Sequence, residues 1–352
     1  MTFSRVFGKK ALSLAVLFLF LFLVGMGFGT IWIFHDIKTK ETQKSETVLA
    51  FEEDHNIIEV EILDTTKATD DTLISQDEPA ELNYPIEKHE DPQPNQAEIW
   101  RLNGVQVTDN VDGKPQVTIV IDDLGVVKNT TLGIIAMEGP LTLSFLPYGR
   151  NLREITQSAA KKGHELMIHL PMEPRGDKDP GPHAMRVDAT DGQTMKDLYF
   201  NLSQFEGYVG LNNHMGSAFT EDRAGLGLVL DEVKKRGLLV LDSRTSRKSL
   251  LAELASDKNI PNMTRDVFLD NVQDVDYILG QLLKLEKMAK KRGHAIAIGH
   301  PYRETIAALT LWLPTLKEKG IALVPLSHIM KRKYDNILLA KGRDKEEIPL
   351  SP

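Results

Sequence analysis

Across residues 114–330 short apolar runs alternate with longer amphipathic stretches, and that alternation is what most narrows the folds open to this chain. Runs rich in Val, Ile and Leu, too short for helices, read as strands buried on both faces, while the stretches between them repeat at helical spacing. Strands that alternate with helices belong to β/α units around a parallel sheet. Strands are expected at 117–121, 141–147, 165–171, 209–213, 238–243, 263–270, 295–300 and 321–327, and helices at 152–162, 194–205, 226–236, 272–291 and 305–319. Gly163, Gly237, Gly293 and Gly320 stand where helices should stop, because glycine adopts the left-handed turn that closes a helix. Seven to eight largely parallel strands in one body, residues 115–330, imply an α/β fold: an irregular, distorted β/α barrel, with a doubly wound open sheet as the rival.

The rest of the chain reads differently. From 11 to 34 no residue is charged, and such a stretch, at about 1.5 Å per residue, spans a hydrocarbon core of about 30 Å. A cleaved signal peptide has a shorter apolar region, so a transmembrane signal-anchor helix is expected. Arg5, Lys9 and Lys10 precede it, which places residues 1–10 in the cytoplasm and everything after the helix outside, in a bacterium the periplasm, anchored to the inner membrane by one pass. Residues 35–114 are expected to form a flexible acidic linker: between Glu52 and Glu98 the acids far outnumber Lys67 and Lys88, and prolines interrupt regular structure. This stretch supplies much of the net charge of -8. Residues 331–352 read as a polar tail. The absence of cysteine rules out disulfides and thiolate metal ligands. No nucleic-acid motif appears, and nothing in the sequence names a protein partner.

Chemistry gathers where the expected strands end. Asp122 and Asp123 close the run 117–121; adjacent carboxylates repel, and a cation resolves the conflict. His169 lies in the third strand, His214 ends the fourth, Asp242 and Arg244 the fifth, Asp270 the sixth and His300 the seventh. In a parallel fold these ends share one face, where active sites form. Asp123, His169 and His214 are a ligand set for a divalent metal, with zinc the first choice and manganese, iron, cobalt or nickel as alternatives. Asp122 is left as the base that takes a proton from water, and His300 as the acid that protonates a departing amine. Backbone N–H groups near Met215-Gly216 are candidates to stabilise an oxyanion. Glu173 reads as a fourth ligand or as a turn residue beside Pro174. Asp242, Arg244 and Asp270 read as an ion pair supporting the site or as substrate contacts, and Tyr148 as a ring that stacks on substrate or as part of a Pro-Tyr-Gly turn. His164, at a helix-to-strand junction, reads as structural.

These residues resemble the divergent polysaccharide deacetylases, relatives of the family 4 carbohydrate esterases that remove acetyl groups from chitin-like and peptidoglycan sugars. Val120-Ile121-Asp122-Asp123 is similar to their first motif, Gly163-His164-Glu165 followed by His169 to the approach to the second, and Ile298-Gly299-His300 to the closing one. The resemblance implies a distorted β/α barrel and a metal-dependent hydrolase acting on an acetylated glycan of the envelope. It also exposes a departure: the standard esterases carry a second histidine four residues after the first, where this chain has Glu173. In the divergent branch His214 would replace it. The rival expectation is a catalytically weak or inactive deacetylase-like module that binds glycan or an envelope partner.

Overall fold

A computed structural model of the chain describes residues 98–335. The expected helix at 11–34, the linker up to residue 97 and the tail from 336 lie outside the described residues. Among the described residues no helix is long and apolar enough to cross a membrane.

Every strand pairing is parallel. The strands are β1 (Gln116–Leu124), β2 (Thr142–Phe145), β3 (Glu165–Met172), β4 (Tyr208–Met215), β5 (Leu239–Asp242), β6 (Asn262–Thr264), β7 (Val267–Phe268), β8 (His294–Gly299) and β9 (Ala322–Leu323). Their order is β6-β5-β4-β3-β2-β1-β8-β7. β8 occupies one edge of β1 from Gln116 to Ile121, so β9, on Gln116 and Val117, shares the other edge with β2, which joins from Val120 onward. The run 263–270, expected as one strand, is two. Its first part pairs with β5 and its second with β8, because the Arg265 N–H turns to the Asp242 carbonyl and the Asp266 N–H to that of Ile296. One segment thus links both ends of the strand order, and the sheet curls.

Alternation along the strands divides the core in two. Val120, Met167, Val209, Leu241 and Ile298 point inward, into the curl. Ile119, Ile121, Ile168, Leu211 and Ala297 point outward and are covered by Leu226 and Val229 of one helix and Ile278 and Leu282 of another. Those two helices, Arg223–Lys235 and Val275–Arg292, begin on capping aspartates, Asp222 and Asp274. Capping satisfies N–H groups that a helix start otherwise leaves orphaned.

The packed body begins earlier than residue 115 and ends later than 330. Residues assigned to the linker form the helix Ile99–Leu102, whose Trp100 is buried in the inward cluster and whose Trp100 N–H bonds the Gly237 carbonyl at 3.0 Å. Residues 326–335 are helical and add Ile329 and Met330 to the same cluster. Tyr334 meets Trp100 edge-on, and Arg101 pairs with Asp335 at 2.7 Å. Trp100 seals the interior from outside the strand pattern, and a tryptophan so buried is worth roughly 3–5 kcal/mol against truncation to alanine. The strand expected at 321–327 shortens to two residues because this helix begins just after Pro325.

Candidate metal centre and active site

Neighbouring residues in a regular strand face opposite sides of the sheet, so Asp122 and Asp123 should not meet the same group. They do because β1 is irregular between Ile121 and Leu124, and Asp123 adopts a left-handed backbone, φ 59°. An extra residue of this kind re-aims a side chain. His169 Nε2 consequently lies 3.7 Å from Asp122 Oδ2 and 3.1 Å from Asp123 Oδ1. Met215, φ 50°, and Arg244, φ 51°, are also left-handed, so three strand ends around the site carry this backbone on residues with side chains.

The second imidazole comes from the neighbouring strand. β3 and β4 run in register with His169 opposite Asn212 and Pro171 opposite His214, which puts His214 two residues further along the same face. His214 Nδ1 stands 2.8 Å from Asp123 Oδ1 and 3.2 Å from His169 Nε2, and one donor atom from each of the three residues lies within 4.8 Å of the others. Asp123 Oδ1 is buried, yet it makes no hydrogen bond of acceptable geometry. It shares a common point with the two imidazoles rather than pairing with either. Two ring nitrogens and a carboxylate converging in this way fit a divalent cation, and the donor types suit zinc and its first-row neighbours alike.

Electrostatics agree with that fit. Burial pushes the Asp122 carboxyl up from its usual range against the pull of His169 and His300. Burial acts the same way on Asp123, but the two imidazoles beside it win and hold its carboxyl well below the ordinary range. Burial would lower His169, and the two carboxylates outweigh it, raising the imidazole. A field that favours a proton there also favours a cation.

His300 approaches from β8 and points Nε2 toward this cluster, 3.9 Å from Asp123 Oδ2. Its Nδ1–H donates to Asp270 Oδ1 at 2.9 Å, while the His300 backbone N–H and the Thr305 hydroxyl fill Asp270 Oδ2 at 2.5 and 2.8 Å. Burial pulls the imidazolium down, but Asp270 dominates and His300 is held up at about 9. A group that keeps its proton at neutral pH suits an acid.

Not every expected residue joins. Glu173 is not a fourth ligand: its Oε2 accepts from the Val187 N–H at 2.9 Å and its N–H donates to the Met185 carbonyl, because the chain leaves the strand at Met172 and turns away before Pro174. Arg244 forms no ion pair with Asp242 or Asp270. Its backbone N–H, not its exposed guanidinium, donates to Asp242 Oδ1 at 2.7 Å, and Ser249 fills Asp242 Oδ2 at 2.8 Å. Asp270 serves His300 instead. Tyr148 is half-buried, its hydroxyl pushed up to about 12 by burial and by Asp123, and its ring packs on Gly181, where a side chain would lie 2.6 Å away. His164 is structural, bonded to Leu141 N–H and the Ile135 carbonyl.

Two participants had no signal in the sequence. Asn212 hydrogen-bonds both His169 and Asp122. Arg265 donates from Nε to the Ser243 carbonyl at 2.9 Å, lies over the Phe268 ring and is half-buried, with Asp122 the foremost carboxylate offsetting its desolvation. Asn212 lies beside Asn213 and Arg265 between Thr264 and Asp266, and only partners distant in sequence set them apart from their polar neighbours.

Comparison with known proteins adds lineage to this geometry. An uncharacterized protein of Haemophilus influenzae is 29% identical over 218 residues, covering 62% of this chain and 78% of that protein. The uncharacterized protein YibQ of Escherichia coli is 30% identical over 215 residues, covering 61% and 67%. A crystal structure of an uncharacterized protein from Agrobacterium tumefaciens superimposes with a TM-score of 0.64 at 28% identity, covering 66% of this chain and 94% of that one. The family described as divergent polysaccharide deacetylase matches residues 119–330, a span that holds the curled sheet and every residue of the site. The chain belongs to the divergent polysaccharide deacetylase family.

Proposed function

We propose that this protein is a metal-dependent hydrolase that removes acetyl groups from an envelope polysaccharide, working in the bacterial periplasm on an inner-membrane anchor formed by residues 11–34. One observation carries the chemistry. Asp123, His169 and His214 converge on a point flanked by a spare buried carboxylate, Asp122, and by a protonated imidazole, His300. A divalent cation held by those three residues, zinc by preference, would lower the pKa of water and polarise an acetyl carbonyl.

The chain's own groups do the rest. Asp122, raised by burial, accepts a proton from the attacking water as the oxygen–carbon bond forms. His300, steadied by Asp270, gives its proton to the departing nitrogen or oxygen as the acetyl bond breaks, so acetate and a free amine or hydroxyl leave. Backbone N–H groups at the left-handed Met215-Gly216 corner are assigned to the oxyanion between those events. Arg265 keeps positive charge near Asp122 and so favours its ionised form.

The test is acetate release by the purified full chain from peptidoglycan fragments and chitooligosaccharides, alongside metal analysis. Release that stops with a chelator and returns with zinc is expected. A protein that holds no divalent ion and gains no thermal stability from zinc or manganese would refute the reading. Glycan binding without acetate release, metal present, would favour a non-catalytic glycan-binding module.

A further inference from the structure

Asn212 is fully buried in β4, opposite His169 across the strand pair. A carboxamide can accept twice on oxygen and donate twice from nitrogen, and here all four positions are used. Oδ1 accepts from Ser144 Oγ at 2.5 Å and meets His169 Nδ1 at 2.9 Å; Nδ2 donates to Asp122 Oδ1 at 2.8 Å and to Ser243 Oγ at 3.1 Å. The neighbours dictate which end is which. The amide turns its NH2 to Asp122 and Ser243 and its oxygen to Ser144 and His169, so one orientation serves all four neighbours. His169 Nδ1 then donates, and in the neutral ring Nε2, facing Asp123 and His214, is the nitrogen with a lone pair to offer a cation.

We propose that Asn212 is a positioning residue for the whole site: one amide sets the His169 ring to present Nε2 as a ligand and at the same time aims the Asp122 carboxylate. The arrangement rests on the metal-hydrolase reading above. It makes ligand and proton acceptor rigid relative to each other, because both are pinned to one group in the middle of the sheet. Outer partners that fix a ligand's tautomer change metal affinity without touching the metal, and held geometry is what a reacting constellation requires.

The experiment compares the full chain with its Asn212→Leu and Asn212→Asp variants, read by zinc calorimetry, by nitrogen NMR of the His169 tautomer and by acetate release. Asn212→Leu is expected to weaken zinc binding by about 10–100-fold and to mix the tautomers. Asn212→Asp keeps the acceptor for His169 but sets a second carboxyl against Asp122, and two buried carboxyls in contact share one proton, which blocks Asp122 as a proton acceptor. It should restore zinc affinity to within a few-fold of the parent and keep the Nδ1–H tautomer, with acetate release still down by about tenfold or more. Unchanged zinc affinity and tautomer in Asn212→Leu would overturn the proposal. If that variant does not fold, the aspartate variant decides: loss of zinc, or full turnover, overturns it. A parent protein that binds zinc but releases no acetate would sink the hydrolase reading alone, leaving the zinc and tautomer results to judge Asn212.

Discussion

Glu165 opens β3 and Asp122 lies near the end of β1, so these carboxylates mark opposite ends of one parallel sheet, and burial pushes both of them upward. Their surroundings differ in kind. Glu165 Oε1 accepts from the Thr142 hydroxyl and the Ser327 N–H, each at 3.1 Å, and Thr142 in turn accepts from the Leu326 N–H at 3.0 Å. The foremost influences opposing burial there are hydrogen bonds, with no charged neighbour among them, and the cluster ties the start of the last helix to the sheet. At Asp122 the foremost opposing influences are two imidazoles, ahead of the hydrogen bond from Asn212, and a second carboxylate stands beside it. Each end also has a buried oxygen without a partner, Glu165 Oε2 and Asp123 Oδ1. A proton would relieve the first; a cation would relieve the second. Burial of a carboxylate therefore does not by itself mark a site, whereas burial among groups that accept the same ion does.

The largest effects should come from the Asp122 end. Asp122→Asn should keep stoichiometric zinc and lose about 10²–10⁴-fold in turnover, whereas His214→Ala should lose the ion itself; equal metal loss in both, by elemental analysis, would break the division between acceptor and ligand. Asp270→Asn removes the partner of His300 Nδ1 and should lower acetate release by about 10–100-fold with zinc content unchanged, an estimate from the usual share of a positioned acid.

Glu165 supplies the control. Its folded pKa is raised above the unfolded one, so its contribution to stability is fully present below the unfolded pKa and is lost as pH rises through the folded value. Glu165→Gln, a mimic of the neutral acid, should remove that decline, so melting curves of the two proteins should converge in acid and separate, in favour of the variant, in alkali. Turnover should be unaffected. An equal fall in both melting curves would erase the contrast between the two ends. The smallest effect is expected at Glu173, where Glu173→Gln weakens one hydrogen bond to Val187 worth about 0.5–1.5 kcal/mol and leaves zinc affinity unchanged by calorimetry.

Much of the architecture was legible because strands buried on both faces write themselves as short, mostly apolar runs, as 117–121 and 165–171 do. What escaped was decided by partners distant in sequence. Trp100 sits in an acidic stretch and shows its worth only against Val120 and Met330. The run 263–270 looks continuous, but its two halves answer to different neighbours. The helices Lys128–Ile135 and Leu251–Asp257 do not stand out in the sequence because they are short beside their neighbours. In the candidate site, Asp123, His169, His214 and His300 stood out because packing alone gives polar groups within or just after strands little reason to be there, and the fold brings them together. Of the two readings of Glu173 the turn beside Pro174 holds, because the chain leaves the strand at Met172 and bends toward Met185 and Val187.

One consequence follows from the backbone at Asp123. A left-handed conformation costs an L-residue about 1–2 kcal/mol, somewhat less for aspartate, and glycine nothing comparable. Durability and chemistry thus pull in opposite directions at that residue. A protein shaped only to survive heat would put glycine there, and would give up a candidate metal ligand in doing so.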